Sequence, residues 1–201
     1  VCVVPSGGWA KAIESAPGAS SFCALLADGT VRCWGRNQFG QLGNGTGGGP
    51  TDHASTPTAV KGIANATQIG VGADHACAVH DGGVVSCWGS NTSGQLGSPA
   101  SKIPALAALK VVGLPSASTV VAAALHTCAV TLDGKVWCWG SGANGRLGNG
   151  STANSPTPVQ VVGAEAVVAI AAGANHTCVA TKDGAMLCWG DNAFRQSSDK
   201  G

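Results

Sequence analysis

Charge is what this chain has least of. Only 10% of its 201 residues are Asp, Glu, Lys or Arg, and the formal net charge is +1; ordinary soluble domains carry about 25%. The basic stripe of a nucleic-acid surface is therefore missing, so no nucleic-acid partner is expected. The high net charge and low hydrophobicity that drive disorder are missing too. Tyrosine is absent altogether. No C-x-x-C occurs among the nine cysteines, which leaves a zinc ribbon or a thioredoxin-type motif without support. No serine sits in a G-x-S-x-G elbow, and Gly47-Gly48-Gly49 lacks the Lys-Ser/Thr of a phosphate loop. Gly, Pro or Ser interrupts every apolar stretch, so no direct membrane span is expected. No signal peptide is visible. Because the chain begins at Val1, a leader removed by processing, a fragment and a longer parent chain all stay open.

What the chain does have is small, apolar and repetitive. Apolar residues make up 44% and glycine 31 of 201, about twice the usual glycine share of roughly 7%. That is enough for a packed core, and it suits short strands with many turns. Cys-Trp-Gly recurs at Cys33-Trp34-Gly35, Cys87-Trp88-Gly89, Cys138-Trp139-Gly140 and Cys188-Trp189-Gly190. The tryptophans are 54, 51 and 50 residues apart. A period near 50 indicates a propeller or an array of supersecondary units. In the fourth repeat the pattern predicts strands over Pro158–Val162, Val167–Ala171, His176–Thr181 and Ala185–Trp189, with a hairpin at Asp183-Gly184. Val1–Val4 resembles Val159–Val162 and is expected to be the first strand of the first repeat. Ala105–Val112 is the one short helix candidate. The predicted fold class is all-β: four propeller-type blades of four antiparallel strands, over residues 1–56, 57–104, 105–156 and 157–201.

Eight cysteines fall into pairs ten residues apart: Cys23 with Cys33, Cys77 with Cys87, Cys128 with Cys138, and Cys178 with Cys188. Asp-Gly lies near the midpoint of each pair. A three-residue hairpin loop ending in a left-handed glycine places residues symmetric about the Asp opposite one another. Cys23 then faces Cys33, within the Cα separation that a disulfide tolerates. A two-residue turn would put Cys23 opposite Trp34 instead. The recurring spacing favours the longer loop and four structural disulfides, and with them an oxidising compartment: secreted, periplasmic or cell-surface. Paired free thiols are the alternative. Cys2 is left over, as a free thiol or a link to another chain or to sequence outside this one.

The run His-Thr-Cys-Ala-Val, Asp-Gly, Cys-Trp-Gly and then Gly-Gln-Leu-Gly resembles the repeats of the regulator of chromosome condensation family. The last element stands here as Gly40-Gln41-Leu42-Gly43, Gly94-Gln95-Leu96-Gly97 and Gly145-Arg146-Leu147-Gly148, and degenerates to Arg195-Gln196-Ser197-Ser198. Paired cysteines in each repeat look like the secreted bacterial members. The resemblance implies a propeller of four-stranded blades, usually seven. Four repeats then form an open arc or part of a larger propeller, pair with a second chain, or close as a smaller ring. Family roles include nucleotide exchange with chromatin binding, β-lactamase inhibition and ultraviolet sensing through tryptophans. Neither the balanced charge nor the spread of tryptophans supports the first or the last.

No catalytic constellation and no cofactor is expected. His75, His126 and His176 share one repeat position, where Ser21 stands in repeat one. They read as consensus residues bonding backbone within their own blade, against the alternative of imidazoles converging on a metal. His53 and His80 lie off this register and read as surface. Asp28, Asp81, Asp133 and Asp183 read as turn residues. Asn44, Asn65, Asn91, Asn149 and Asn175 open N-x-S/T sequons. The loops after each Trp-Gly are the candidate binding surface, with Arg36, Phe39, Arg146, Phe194 and Arg195 as contact residues. The expected function is a non-enzymatic extracellular module that binds a protein partner or other chains of an assembly. The alternative is the propeller domain of a longer secreted enzyme or enzyme inhibitor.

Overall fold

The computed structural model describes residues 9–16, 18–99 and 103–193. They form four antiparallel sheets. The first is β1 (Ala10–Glu14), β2 (Ser21–Leu26), β3 (Val31–Arg36) and β4 (His53–Ala59), in that spatial order. The second is β5 (Gln68–Val71), β6 (His75–His80), β7 (Val84–Gly89) and β8 (Ala105–Lys110). The third is β9 (Ala117–Ala122), β10 (His126–Thr131), β11 (Val136–Gly140) and β12 (Ser155–Gln160). The fourth has three strands among the described residues: β13 (Val167–Ala172), β14 (His176–Thr181) and β15 (Met186–Gly190). One 3-10 turn, Ala143–Gly145, completes the inventory. No described helix is long and apolar enough to cross a membrane.

One helix candidate and one strand placement need correcting. Ala105–Lys110 is strand β8, pairing with β7 through Cys87↔Leu109 and Gly89↔Ala105. A short apolar run has no decisive periodicity, and the ladder settles it. The stretch expected to open the fourth repeat instead closes the third sheet, where Val159 lies opposite Cys138. β8 and β4 do the same one and two blades earlier. The Cys-Trp-Gly strand takes its outer neighbour from the chain returning across the long loop, so sheets and sequence repeats are out of phase by one strand. Boundaries at 56/57 and 156/157 therefore fall inside strands, and 104/105 falls just before one. The expected strand Val1–Val4 and Cys2 lie outside the described residues.

The central hairpins match the expected register. Cys23↔Cys33, Cys77↔Cys87, Cys128↔Cys138 and Cys178↔Cys188 are directly opposed. Each pair is a disulfide, with Cα atoms 4.0–4.1 Å apart. Gly29, at φ 80°, supplies the left-handed residue of the first loop, and Leu26 N–H bonds Thr30 C=O to close it. The Asp28 carboxylate accepts from Thr30 N–H and Oγ1–H. These bonds hold its pKa below the usual carboxylate value. The expected turn role of this Asp stands.

The core lies between sheets. Cys23, Leu25, Val31, Cys33, Leu42 and Val60 pack against Ile69, Ala76, Ala78 and Trp88 of the next blade, and the pattern repeats at the two later seams. Three disulfides are thus sealed by a following blade and are fully buried. Cys178 and Cys188 are only half-buried. Access limits thiol–disulfide exchange. Mild reductant followed by alkylation and peptide mapping is therefore expected to label Cys178 and Cys188 well before the other six. Uniform labelling of all four pairs would show that the seams do not shield them.

Candidate functional site

Three of the four repeat tryptophans are hydrogen-bonded across the seams. Trp88 Nε1–H donates to Gln41 C=O at 3.0 Å, Trp139 to Gln95 C=O at 2.8 Å, and Trp189 to Arg146 C=O at 3.0 Å. Each Trp reaches back into the loop of the preceding blade, one to a seam. Glycine is required there: a Cβ at Gly43 would lie 2.7 Å from Trp88 Cδ1. The leucine of the same motif, Leu42, Leu96 or Leu147, is fully buried beside it.

The histidines reach forward. His75 Nε2 is 2.8 Å from Thr127 Oγ1, and His126 Nε2 is 2.9 Å from Thr177 Oγ1. Thr127 Oγ1–H itself donates to Gln95 C=O, so its oxygen accepts from His75, which fixes the Nε2–H tautomer. The Nδ1 atoms of both rings are buried without a partner. Burial lowers the His75 pKa to about 4. It lowers that of His126 to about 3, with help from the charges of Arg146, His75 and His176. Both rings are neutral at pH 7. The structural role expected of them holds, but the partner is a threonine across the seam rather than backbone in the same blade. The first seam has neither member of the pair: Ser21 replaces the histidine and Ala76 the threonine. Among the described residues no three His, Cys, Asp or Glu side chains are placed to hold a metal. His53 is exposed, but His80 is buried, with Nδ1 bonded to Asp81 and Nε2 to Ser86. The expectation that His80 lies on the surface is corrected: it ties its own hairpin together.

Antiparallel order puts the long loops after β3, β7 and β11 at one end of the arc, away from the disulfide hairpins. Asn37 shapes the first loop, accepting from Leu42 N–H and donating to Thr46 C=O. Gln41 Oε1 accepts from Phe39 N–H. Asn91 and Gln95 repeat both acceptor roles in the second loop, toward Leu96 and Ser93. Sequence reasoning gave Asn37 and the seam threonines no role and read Asn91 only as a sequon, although recurrence at fixed distances from the Trp or Cys was a usable signal. The scaffold displays exposed Arg36 with its guanidinium 5.9 Å above the half-buried Phe39 ring. Arg146 is different. It is only 6% exposed, with Nε–H donating to Ala143 C=O in the seam between the third and fourth blades. A buried guanidinium does not serve as a surface anchor, so it leaves the candidate contact set. Phe194 and Arg195 lie outside the described residues.

The inner strands β1, β5, β9 and β13 face a common cavity of about 330 Å³, lined by Glu14, Gln68, Thr119 and small apolar residues. Gln68 is committed to the wall, donating to Val120 C=O and accepting from Val120 N–H. Glu14, Ser15 and Thr119 supply the rest of its polar side chains.

Radially stacked four-stranded sheets, each keyed to the next by a tryptophan, define an arc of β-propeller blades. The sequence profile described as "Regulator of chromosome condensation (RCC1) repeat" matches residues 28–79 and 133–180. A second profile of the same description matches 66–95, 119–146 and 167–196. The chain belongs to the RCC1 repeat family. It is 33% identical over 158 residues to the ultraviolet-B receptor UVR8 of Arabidopsis thaliana, covering 74% of this chain and 34% of the receptor. In fold it is similar to human WBSCR16, with a TM-score of 0.81 and 22% identity over 92% of this chain and 48% of that one. It is also similar to Prp20p of Saccharomyces cerevisiae, with a TM-score of 0.72 and 21% identity over 82% of this chain and 41% of that one. The chain thus spans about a third of that receptor and less than half of either solved chain.

Proposed function

We propose that this chain is a non-enzymatic, protein-binding propeller of an oxidising compartment, either secreted, periplasmic or held at a cell surface. Four disulfides support the compartment, because reducing cytoplasm would open the half-buried pair. The observation that carries the binding role is the Arg36–Phe39 stack on a loop fixed by Asn37 and Gln41. A cation over an aromatic face, held on a rigid loop, is a typical interface anchor and loses little entropy on binding. The yeast neighbour Prp20p is described by its binding to Gsp1p and histones. The near-neutral charge of this chain fits a partner other than chromatin.

The test is comparative capture from the native extracellular fraction. The chain with Arg36→Glu and Phe39→Ser is expected to recover about tenfold less of a partner retained by the wild type, a loss of about 1.4 kcal/mol. Its circular dichroism should be unchanged. Equal recovery by the two forms, or no protein retained by the wild type, would overturn the reading.

A further inference from the structure

Three Asn-Gly pairs lie in the long loops, Asn44-Gly45, Asn144-Gly145 and Asn149-Gly150, and the fold treats them differently. A glycine after asparagine leaves the carboxamide carbon open to attack by the next backbone nitrogen, because no Cβ stands in the way. What separates the three pairs is whether that nitrogen is free. Gly45 N–H donates to Leu106 C=O at 2.7 Å, which ties the first loop to the second blade. Gly145 N–H donates to Gly142 C=O at 3.0 Å, within the 3-10 turn. Gly150 N–H has no hydrogen-bond partner among the described residues.

The second difference lies at the carboxamide oxygen. Asn149 Oδ1 accepts from Ser151 N–H at 3.1 Å, an Asx turn that holds the side chain back along its own backbone. That donor is aimed at the oxygen that takes up negative charge when the carboxamide carbon is attacked, which is how an oxyanion is stabilised. Asn44 Oδ1 has two such donors, Thr46 N–H at 3.0 Å and Thr46 Oγ1–H at 2.8 Å, but its nucleophile is engaged. Asn144, at φ 58°, has no donor on its carboxamide among the described residues. Gly150 is also exposed, at φ 79°, and a Cβ built there would meet nothing within 4 Å. No neighbour packs on it to resist closure of a ring. Of the three pairs, Asn149-Gly150 combines a free nucleophile with a hydrogen-bonded acceptor oxygen.

We propose that Asn149 is a self-modification site, at which the folded chain converts an amide into a carboxylate without an enzyme. Gly150 N–H gives its proton to hydroxide or water, and the nitrogen bonds to Asn149 Cγ. The Cγ–Nδ2 bond then breaks, and Nδ2 takes a proton from solvent and leaves as ammonia. Water opens the resulting succinimide. Addition at Cγ gives aspartate. Addition at the backbone carbonyl gives isoaspartate, with the chain running through the former side chain. Either product is ionised at neutral pH and takes the formal net charge from +1 to zero. In a chain with so few charges this is a large change. It falls on a loop of the candidate binding end, next to Gly148, where Trp189 is seated. The proposal does not depend on the Arg36 contact or its partner.

Peptide mapping of the native chain, held for days in mildly alkaline buffer, tests this. Aspartate plus isoaspartate at residue 149 is expected to accumulate at least about tenfold faster than at residue 44 or 144, a barrier difference of about 1.4 kcal/mol. After reduction and unfolding in urea the three pairs are expected to react at similar rates, because the fold no longer distinguishes them. Asn149→Gln moves the carboxamide one carbon further from the attacking nitrogen. It is expected to remove the acidic species that appears first on ion exchange, with unchanged circular dichroism. Equal or faster reaction at residue 44 or 144 of the folded chain would overturn the proposal. So would an intact Asn149 in the folded chain under conditions that modify it in the unfolded one. A glycan on Asn149 of the native protein would overturn it as well, since a substituted amide does not leave as ammonia.

Discussion

Acidification from pH 7 to pH 4 is expected to remove about 6 kcal/mol of folding stability, through His75 and His126. Both titrate near 6.5 when unfolded and are pushed down to about 4 and about 3 by burial. Below pH 6.5 the unfolded chain therefore binds protons that the folded chain refuses, and folding becomes less favourable as pH falls. The loss starts near 6.5 and levels off only once the folded pKa values are passed. At about 1.4 kcal/mol per unit, each histidine has lost about 3 kcal/mol by pH 4. Such a sum is a large part of the 5–15 kcal/mol typical of domains. The hairpin carboxylates act in a lower window. Asp28, Asp81, Asp133 and Asp183 have lowered pKa values because they accept hydrogen bonds. What they contribute is present above the usual carboxylate pKa and is lost only as pH falls through their lower folded values. Urea unfolding at pH 7, 5.5 and 4 checks the histidine effect, with His126→Gln as the control that should flatten the curve. A midpoint independent of pH across this window would mean the seam histidines are hydrated.

The reason the histidines could be recognised as structural, yet not paired correctly, lies in what a repeat encodes. Periodicity identifies residues that do the same thing in each blade. Cys-Trp-Gly and the ten-residue cysteine spacing gave the hairpin register because the two cysteines are local in sequence and the loop geometry links them. His75 and Thr127 are 52 residues apart, and nothing in a single repeat says that one blade's histidine meets the next blade's threonine. The paired loss of both at the first seam, Ser21 with Ala76, was the available signal. The phase error has the same origin. A strand following a long loop can close the sheet behind it or open the one ahead, and the alternation of Val159–Val162 is identical in either case. Arg146 shows the limit for binding residues. Charge and position in a loop suggested a surface anchor, but its place at the Gln41 and Gln95 position assigns it to the seam. Arg36, two residues past its tryptophan, is the last residue of β3, paired with His53 and exposed.

Trp139→Ala is expected to break the array at its middle. The indole is fully buried between the second and third blades, against Leu96, Val111 and Ala129. Truncating a buried aromatic of this size costs about 3–5 kcal/mol, through lost transfer energy and the cavity left behind. Loss of the indole hydrogen bond adds less, since Gln95 C=O still accepts from Thr127. Trp34→Ala removes the same side chain from a half-buried end position, where solvent fills the gap, and is expected to cost about 1 kcal/mol. Equal losses at the two positions would contradict the seam assignment. The larger effect also changes how the protein unfolds. In a stacked array, stability is a sum over units and the interfaces between neighbours. Removing most of one interior interface uncouples the blades on its two sides, while the disulfide inside each hairpin keeps every unit compact. Thermal unfolding of Trp139→Ala should therefore split into two transitions, one for the first two blades and one for the last two. Trp34→Ala should keep a single transition at a slightly lower temperature. A single cooperative transition in Trp139→Ala, shifted by the full amount, would place the coupling along the inner strands lining the central cavity rather than in the tryptophan seam.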